Sequence, residues 1–296
     1  MRVRVLEGAV RRDYNAPTHV LHLTNTDPVN RTMPHLARHA ALAIAVGLAA
    51  SVAVSAAETK PLKALLVTGG CCHDYDTQKV ILTEGISARA NVEWTIVHEG
   101  GKSTDHRVSI YEKPDWADPY DVVVHNECFA MVADEKFVKN VADAHRNGKP
   151  ALVIHCTMHT FRDLESDMWR EFLGVTTKRH EKQHPLEIKN LRSDDPVMRA
   201  FPEVWKTGDE ELYVILKQWP NMVPLAEAYG VDTKEKHTVI WKNTFGKGRV
   251  FGTTLVHHSH HIKEPVYLDL VTRGLLWSCD KLDEQGKPTA GYGPRQ

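Results

Sequence analysis

Histidine is the commonest metal ligand and the one side chain that titrates near neutral pH without perturbation, and this chain of 296 residues carries 18 of them. Their placement is more informative than their number. His73, the string His125-Asn126-Glu127, His155 with His159, Glu211 with Tyr213, and His257, His258, His260 and His261 each close an apolar, strand-like run. Ligands of an open parallel sheet sit just beyond the carboxyl ends of its strands, so neighbouring runs of this kind would put these groups on one polar rim. His73, His155 and His257, from three strand ends, could converge as the three protein ligands of a divalent metal such as zinc, leaving a position open for water or substrate. The same imidazoles could instead bind hydroxyl groups, or one another, without metal; no local HExxH or CxxC spacing decides between the two. His155, Glu211 and His257 are the candidates for proton transfer, and His73, Asp74, His125, Asn126, His159 and Tyr213 for shaping a substrate pocket.

The segments that must position these residues alternate. Leu62–Thr68 reads as a buried strand ending in Gly69-Gly70, and Thr77–Ala90 spaces Val80, Ile81, Ile86 and Ala90 as a helix. One of Asp74 and Asp76 is expected to cap that helix; Asp74, beside His73, is the better site candidate. Val92–Val97, Val122–Val124 and Ala151–Ile154 read as further strands, with a helix over Ala133–Arg146 between the last two. The order β, α, β, β, α, β implies a doubly wound, mostly parallel α/β sheet. Residues 180–189, 211–217, 224–229 and 238–243 are short extended pieces that predict a small antiparallel β extension, followed by a strand at Arg249–Leu255 and a closing helix at Pro265–Cys279. The polar loop Gly100–Asp118 carries Trp116, which could stack on a ligand ring. Residues 281–296 are polar with Gly and Pro, and a loose tail is expected.

Ala40–Val54 is an alanine-rich apolar stretch, too short for a comfortable membrane span, followed by the small-residue pattern Val54-Ser55-Ala56. This reads as a signal peptide that starts at Met33, with residues 1–32 an upstream extension of the reading frame; a signal anchor or long-headed signal is the alternative. An exported protein, periplasmic or extracellular, with a mature body from about residue 58 is expected, without a stable membrane span after processing. The net charge of −1 over the whole chain, and 31 basic against 35 acidic residues once 1–57 are removed, argue against a nucleic-acid partner. Five cysteines (71, 72, 128, 156 and 279) are an odd number, so at least one stays unpaired. Small buried thiols are expected, although four of the five lie at predicted strand tips and a disulfide across the rim is an alternative.

Five strings in order, GGCCHD at 69–74, HP at 184–185, EELY at 210–213, GKGRVFGTTLVHH at 246–258 and RGLLW at 273–277, make residues 62–280 similar to the ThuA-like (trehalose utilisation) family. The resemblance implies the flavodoxin-like fold of class I glutamine amidotransferases, a small-molecule carbohydrate as ligand and no nucleotide cofactor. It also marks a departure. At the elbow GKPALVIHCTMH, where that fold presents a nucleophilic cysteine, alignment of the strand puts His155, with Cys156 one place later and pointing elsewhere. His257 resembles the histidine of the triad, but Ser259 stands where its acid would be. Glutaminase chemistry is therefore disfavoured. The leading expectation is an isomerase, lyase or hydrolase acting on a carbohydrate or oxidised sugar by His/Glu acid–base chemistry, and the rival is a non-catalytic sugar-binding or accessory protein using the same pocket. His257 is expected to face inward, with His260 and His261 solvated or at the entrance.

Overall fold

The computed structural model describes residues 3–7 and 60–295. The segment read as a signal peptide, and its cleavage site, lie outside the described residues.

Among the described residues there are twelve strands and five α-helices: β1 (Val3–Glu7), β2 (Leu62–Gly70), α1 (Tyr75–Ser87), β3 (Val92–His98), β4 (Val122–Cys128), α2 (Glu135–Arg146), β5 (Ala151–Ile154), α3 (Met168–Leu173), β6 (Val175–His180), β7 (His184–Asn190), β8 (Val204–Glu210), β9 (Tyr213–Gln218), β10 (Val223–Tyr229), β11 (Lys236–Phe245), β12 (Gly248–Thr253), α4 (Ser259–Ile262) and α5 (Pro265–Ser278). The main sheet runs β1-β3-β2-β4-β5-β12-β11-β10-β7-β8. Its first six strands pair in parallel and the rest are antiparallel. A second sheet pairs β6 with β9. This is the expected mixed α/β architecture.

The parallel half has apolar side chains on both faces because helices cover both. One face holds Ala64, Leu66, Val122, Val124 and Leu152 with α1 and α5; the other holds Leu65, Val67, Val123 and Val153 with α2 and α3. Val122, Val123 and Val124 are wholly buried, and each such side chain contributes about 1.5–3 kcal/mol by leaving water. Helix starts follow local chemistry: Asp74 accepts from the Thr77 N–H at 3.1 Å, Asp134 accepts from the Phe137 N–H at 2.9 Å, and Pro265 opens α5.

Five differences from the sequence reading stand out. Val3–Glu7 pairs in parallel with β3 as an edge strand, although residues 1–57 were expected to stay out of the body; its Val-Arg-Val-Leu alternation suits an open sheet edge. Residues 180–189 are split between β6 and β7, which belong to different sheets, and β8 was not anticipated, since VWKTGDE is too polar to stand out. The tail is held in place: Asn91 N–H donates to the Tyr292 carbonyl at 3.0 Å, Arg199 Nε donates to the Glu284 carbonyl at 2.7 Å, and Leu282 and Tyr292 pack on the core. Trp116 is buried against Tyr111, with its indole N–H on the Asn140 carbonyl at 3.3 Å, so it packs the loop down and offers no face to a ligand.

Candidate active site

Three of the parallel strands deliver a histidine to the same place. At the end of β2, Gly69 and Gly70 adopt φ of +129° and +99°, and a Cβ on either would stand 2.0 or 2.2 Å from the Glu99 or Cys128 carbonyl oxygen; only glycine lets the chain turn here towards His73. Beyond β5, His155 itself sits at φ +45°, the sharp strand-to-helix turn expected of the elbow. Its Nδ1–H donates to the Thr254 carbonyl at 2.6 Å, which fixes the ring and leaves Nε2 facing inward. Beyond β12, His257 is held through its backbone: its N–H donates to Glu210 Oε2 at 2.9 Å, and its carbonyl accepts from Gln78 Nε2 at 3.3 Å. Asn126 in turn donates to Gln78 Oε1 at 3.2 Å.

The rings converge. His73 lies with its centroid 4.8 Å from that of His155 and 4.6 Å from that of His257, and one nitrogen of each ring lies within 4.8 Å of the others. Glu211 comes from the junction of β8 and β9, hence from the antiparallel part and not from a parallel strand tip as the sequence had suggested. Its carboxylate stands 3.4 Å from His155 Nε2, 3.2 Å from His257 Nδ1 and 3.6 Å from His180 Nε2. His73 Nδ1, His155 Nε2 and His257 Nδ1 are all buried; the latter two face the Glu211 carboxylate, whereas His73 Nδ1 has no hydrogen-bond partner. Leaving such a group unpaired costs about 1–3 kcal/mol, so the His73 ring is complete only with a guest. Tyr213 and His159 stack with centroids 4.5 Å apart and line a cavity of about 350 Å³ together with His73, Glu211, His257, His180 and Arg162.

Charge is distributed unevenly around that cavity. Burial pushes Glu211 up, but its contacts with His155 and His257 outweigh this and hold the carboxyl well below the usual range, so it is ionised and a weak base. Burial pulls His257 down, and the Glu211 contact more than compensates, so its pKa is raised. His73 is lowered, chiefly by burial, and His159 is held down to about 3 by burial and then by Arg162. Cys156 is raised well above an ordinary thiol, first by its hydrogen bond to Cys128 and then by burial.

Not every expected residue takes part. Asp74, exposed, is the cap of α1; it does not line the cavity with Glu211 and Tyr213 but borders a more open depression on the other side of His73 and His257, with His258, His260 and Lys263. His125 is entirely buried on the other side, its Nδ1 donating to Glu127 Oε1 at 2.8 Å and its Nε2 3.0 Å from His145 Nε2, so both ring nitrogens are used inside the core. Asn126 acts on the site only through Gln78. His261, expected near solvent, is buried and paired with Glu210; His260 is exposed. Cys156, expected to point elsewhere, lines the cavity, and the carboxylate missing after His257 is supplied by Glu211 from a distant strand. Cys71 and Cys72 are joined as a disulfide, whereas Cys128, Cys156 and Cys279 are free.

The sequence reading passed over Glu210, His180, Gln78 and Arg162. Glu210 stood in the string EELY, but two adjacent acids do not reveal which faces the cavity. His180 closes β6 and carried the same strand-end signal as the others; nothing marked Gln78 or Arg162.

The family profile described as ThuA, trehalose utilisation, matches residues 63–278. Among solved structures, a ThuA-like protein from Parabacteroides merdae aligns over 80% of this chain and 98% of its own, with 18% identity and a TM-score of 0.63. One from Bacteroides uniformis aligns over 77% and 96%, with 11% identity and a TM-score of 0.57. At these identities the likeness speaks for the fold alone. No curated protein sequence matches significantly. With a profile match that takes in β2 to α5, including all three converging histidines and Glu211, the chain belongs to the ThuA (trehalose utilisation) family.

Proposed function

We propose that this ThuA-family protein is an enzyme acting on a carbohydrate or an oxidised-sugar intermediate by histidine and glutamate chemistry, with a divalent metal such as zinc held by His73, His155 and His257. The observation that carries this reading is the convergence of one nitrogen from each of His73, His155 and His257, with His73 Nδ1 buried and unpartnered, beside the cavity that Glu211 borders. Neutral imidazoles from rigid strand ends are the donor set that catalytic zinc takes. A zinc ion there would polarise a carbonyl or hydroxyl oxygen of the sugar or lower the pKa of a bound water.

The chain's own residues have distinct parts. Glu211, ionised, orients His155 and His257 and offsets positive charge brought to them. With no metal bound, His257, with its raised pKa, is suited to hand a proton to an oxygen of the substrate; as a metal ligand it is neutral, and in either case neutral His159 and Tyr213 present a flat stacked wall for the ring. Trehalose utilisation by the family supports a sugar as the class of substrate. Export rests on the apolar stretch 40–54 and its Val54-Ser55-Ala56 ending.

Elemental analysis of the purified protein, paired with turnover of a panel of disaccharides and their keto derivatives, tests the reading. About one zinc or similar ion per chain, with turnover that a chelator removes and the metal restores, is the expected result. Sugar binding without turnover would make it an accessory binding protein instead, and absence of metal after metal-replete expression would remove the zinc from the proposal.

A further inference from the structure

One wall of the cavity is made of sulfur: Cys71, Cys72, Cys128 and Cys156 all border it. Cys71 and Cys72 are adjacent in sequence and bonded to each other. A disulfide stabilises by closing a loop of chain, and one between neighbours closes almost none, so stapling the fold does not account for it. The buried Cys128 keeps its thiol 3.8 Å from Cys71 Sγ, and Cys156 packs beside Cys128. The sulfurs of Cys71, Cys72 and Cys128 lie within 4.8 Å of one another. Zinc–thiolate bonds of about 2.3 Å at tetrahedral angles place two ligand sulfurs about 3.8 Å apart, the spacing of Cys71 and Cys128, and softer thiolate-bound cations need a similar spacing.

We infer that these cysteines form a second, redox-gated site that takes a thiophilic cation, of the monovalent copper or cadmium class, through Cys71, Cys72 and Cys128, with Cys156 as the reserve ligand. In the disulfide form the site is closed, because two of its three ligands are bonded to each other. A dithiol opens it: two electrons and two protons pass to Cys71 and Cys72, their S–S bond breaks, and the dithiol leaves as its own disulfide. The cation then binds three thiolate sulfurs while their protons go to water. Thiolate ligands select soft cations, so the site differs in chemistry from the three imidazoles beside it and does not depend on the proposed sugar chemistry.

The test uses the full-length protein, reduced with a phosphine that is then removed, and titrated with cadmium ion without oxygen. Cadmium bound to thiolates absorbs in the ultraviolet by charge transfer and cadmium bound to imidazole does not, so the two sites are read apart. The expected result is a charge-transfer signal that saturates at one equivalent in the reduced protein and is missing from the oxidised protein. Denatured without reductant, the chain should show three reactive thiols, and five after reduction. Cys128→Ser should weaken cadmium binding about a hundredfold or more, and Cys72→Ser, at an exposed position where folding is not at stake, should do the same. No signal in the reduced protein, an equal signal in the oxidised protein, five thiols without reductant, or unchanged affinity in Cys72→Ser would each overturn the inference.

Discussion

Glu210 reaches across the chain to receive the backbone N–H of His257 at 2.9 Å, while its other carboxylate oxygen pairs with the buried ring of His261. The adjacent Glu211 faces the cavity and meets the side chain of the same His257. Two consecutive acids thus divide the work: one fixes where His257 sits, the other what its ring experiences. Glu210→Ala should cost about 1–3 kcal/mol, because it leaves the buried His261 ring and the His257 N–H without their hydrogen-bond partner. Chemical denaturation reads this directly, and a variant as stable as the parent would show that Glu210 is not a support of the His257 loop.

His155→Ala and His257→Ala should abolish metal binding or turnover while moving the melting temperature only a few degrees, since neither ring is part of the two apolar cores. Glu211→Gln should retain the fold and bind metal more weakly, by about 10–100-fold, as expected for loss of a carboxylate that orients the ligands. Competition with a chromogenic chelator measures both. Full metal affinity in His155→Ala would remove that residue from the ligand set.

Cys156→Ala should leave any activity largely intact. Its thiol is raised by Cys128 and by burial, so little thiolate is available for attack. A fall of several orders of magnitude in kcat with the fold preserved would make Cys156 a nucleophile and return the glutaminase-like reading.

In the metal-free protein, Glu211 and His257 stabilise the fold together only within a limited pH window, because their shifts run in opposite directions. Glu211 is depressed below its ordinary 4.5, so its contribution is present above that value and fades as pH falls beneath it. His257 is raised above 6.5, so its contribution is complete below that value and fades as pH rises through the higher folded value. Their joint window is about 4.5–6.5. His73 and His159 act in the opposite sense: both are depressed, and the unfolded chain gains protons on them below 6.5 that the folded chain refuses. His159→Phe, which preserves the stack on Tyr213, should therefore soften the loss of stability between pH 6.5 and about 3. Melting temperatures across pH for the two proteins check this, and superimposable acid limbs would contradict the buried, neutral state of His159.

Much of this protein is determined by local pattern. The runs at β2, β4 and β5 are continuous in apolar residues because helices cover both faces, and that pattern alone specified a doubly wound sheet and put His73, His155 and His257 at strand ends. Proximity to a strand end is a one-dimensional property. Which face a terminal side chain takes depends on one-residue differences in register and on backbone angles such as the positive φ of His155. His125 closes an apolar run as convincingly as His73 does, yet it points into the packed face and joins Glu127 and His145. Asp74 stands beside a site histidine yet caps a helix. Contacts between distant strands are invisible in the chain as written: Glu211 reaching His155 and His257, Gln78 joining Asn126 to the His257 carbonyl, and four sulfurs gathering at one wall. They exist because the tertiary fold brings the β8–β9 junction over the ends of the parallel strands, and only that packing decides which of the 18 histidines share a cavity.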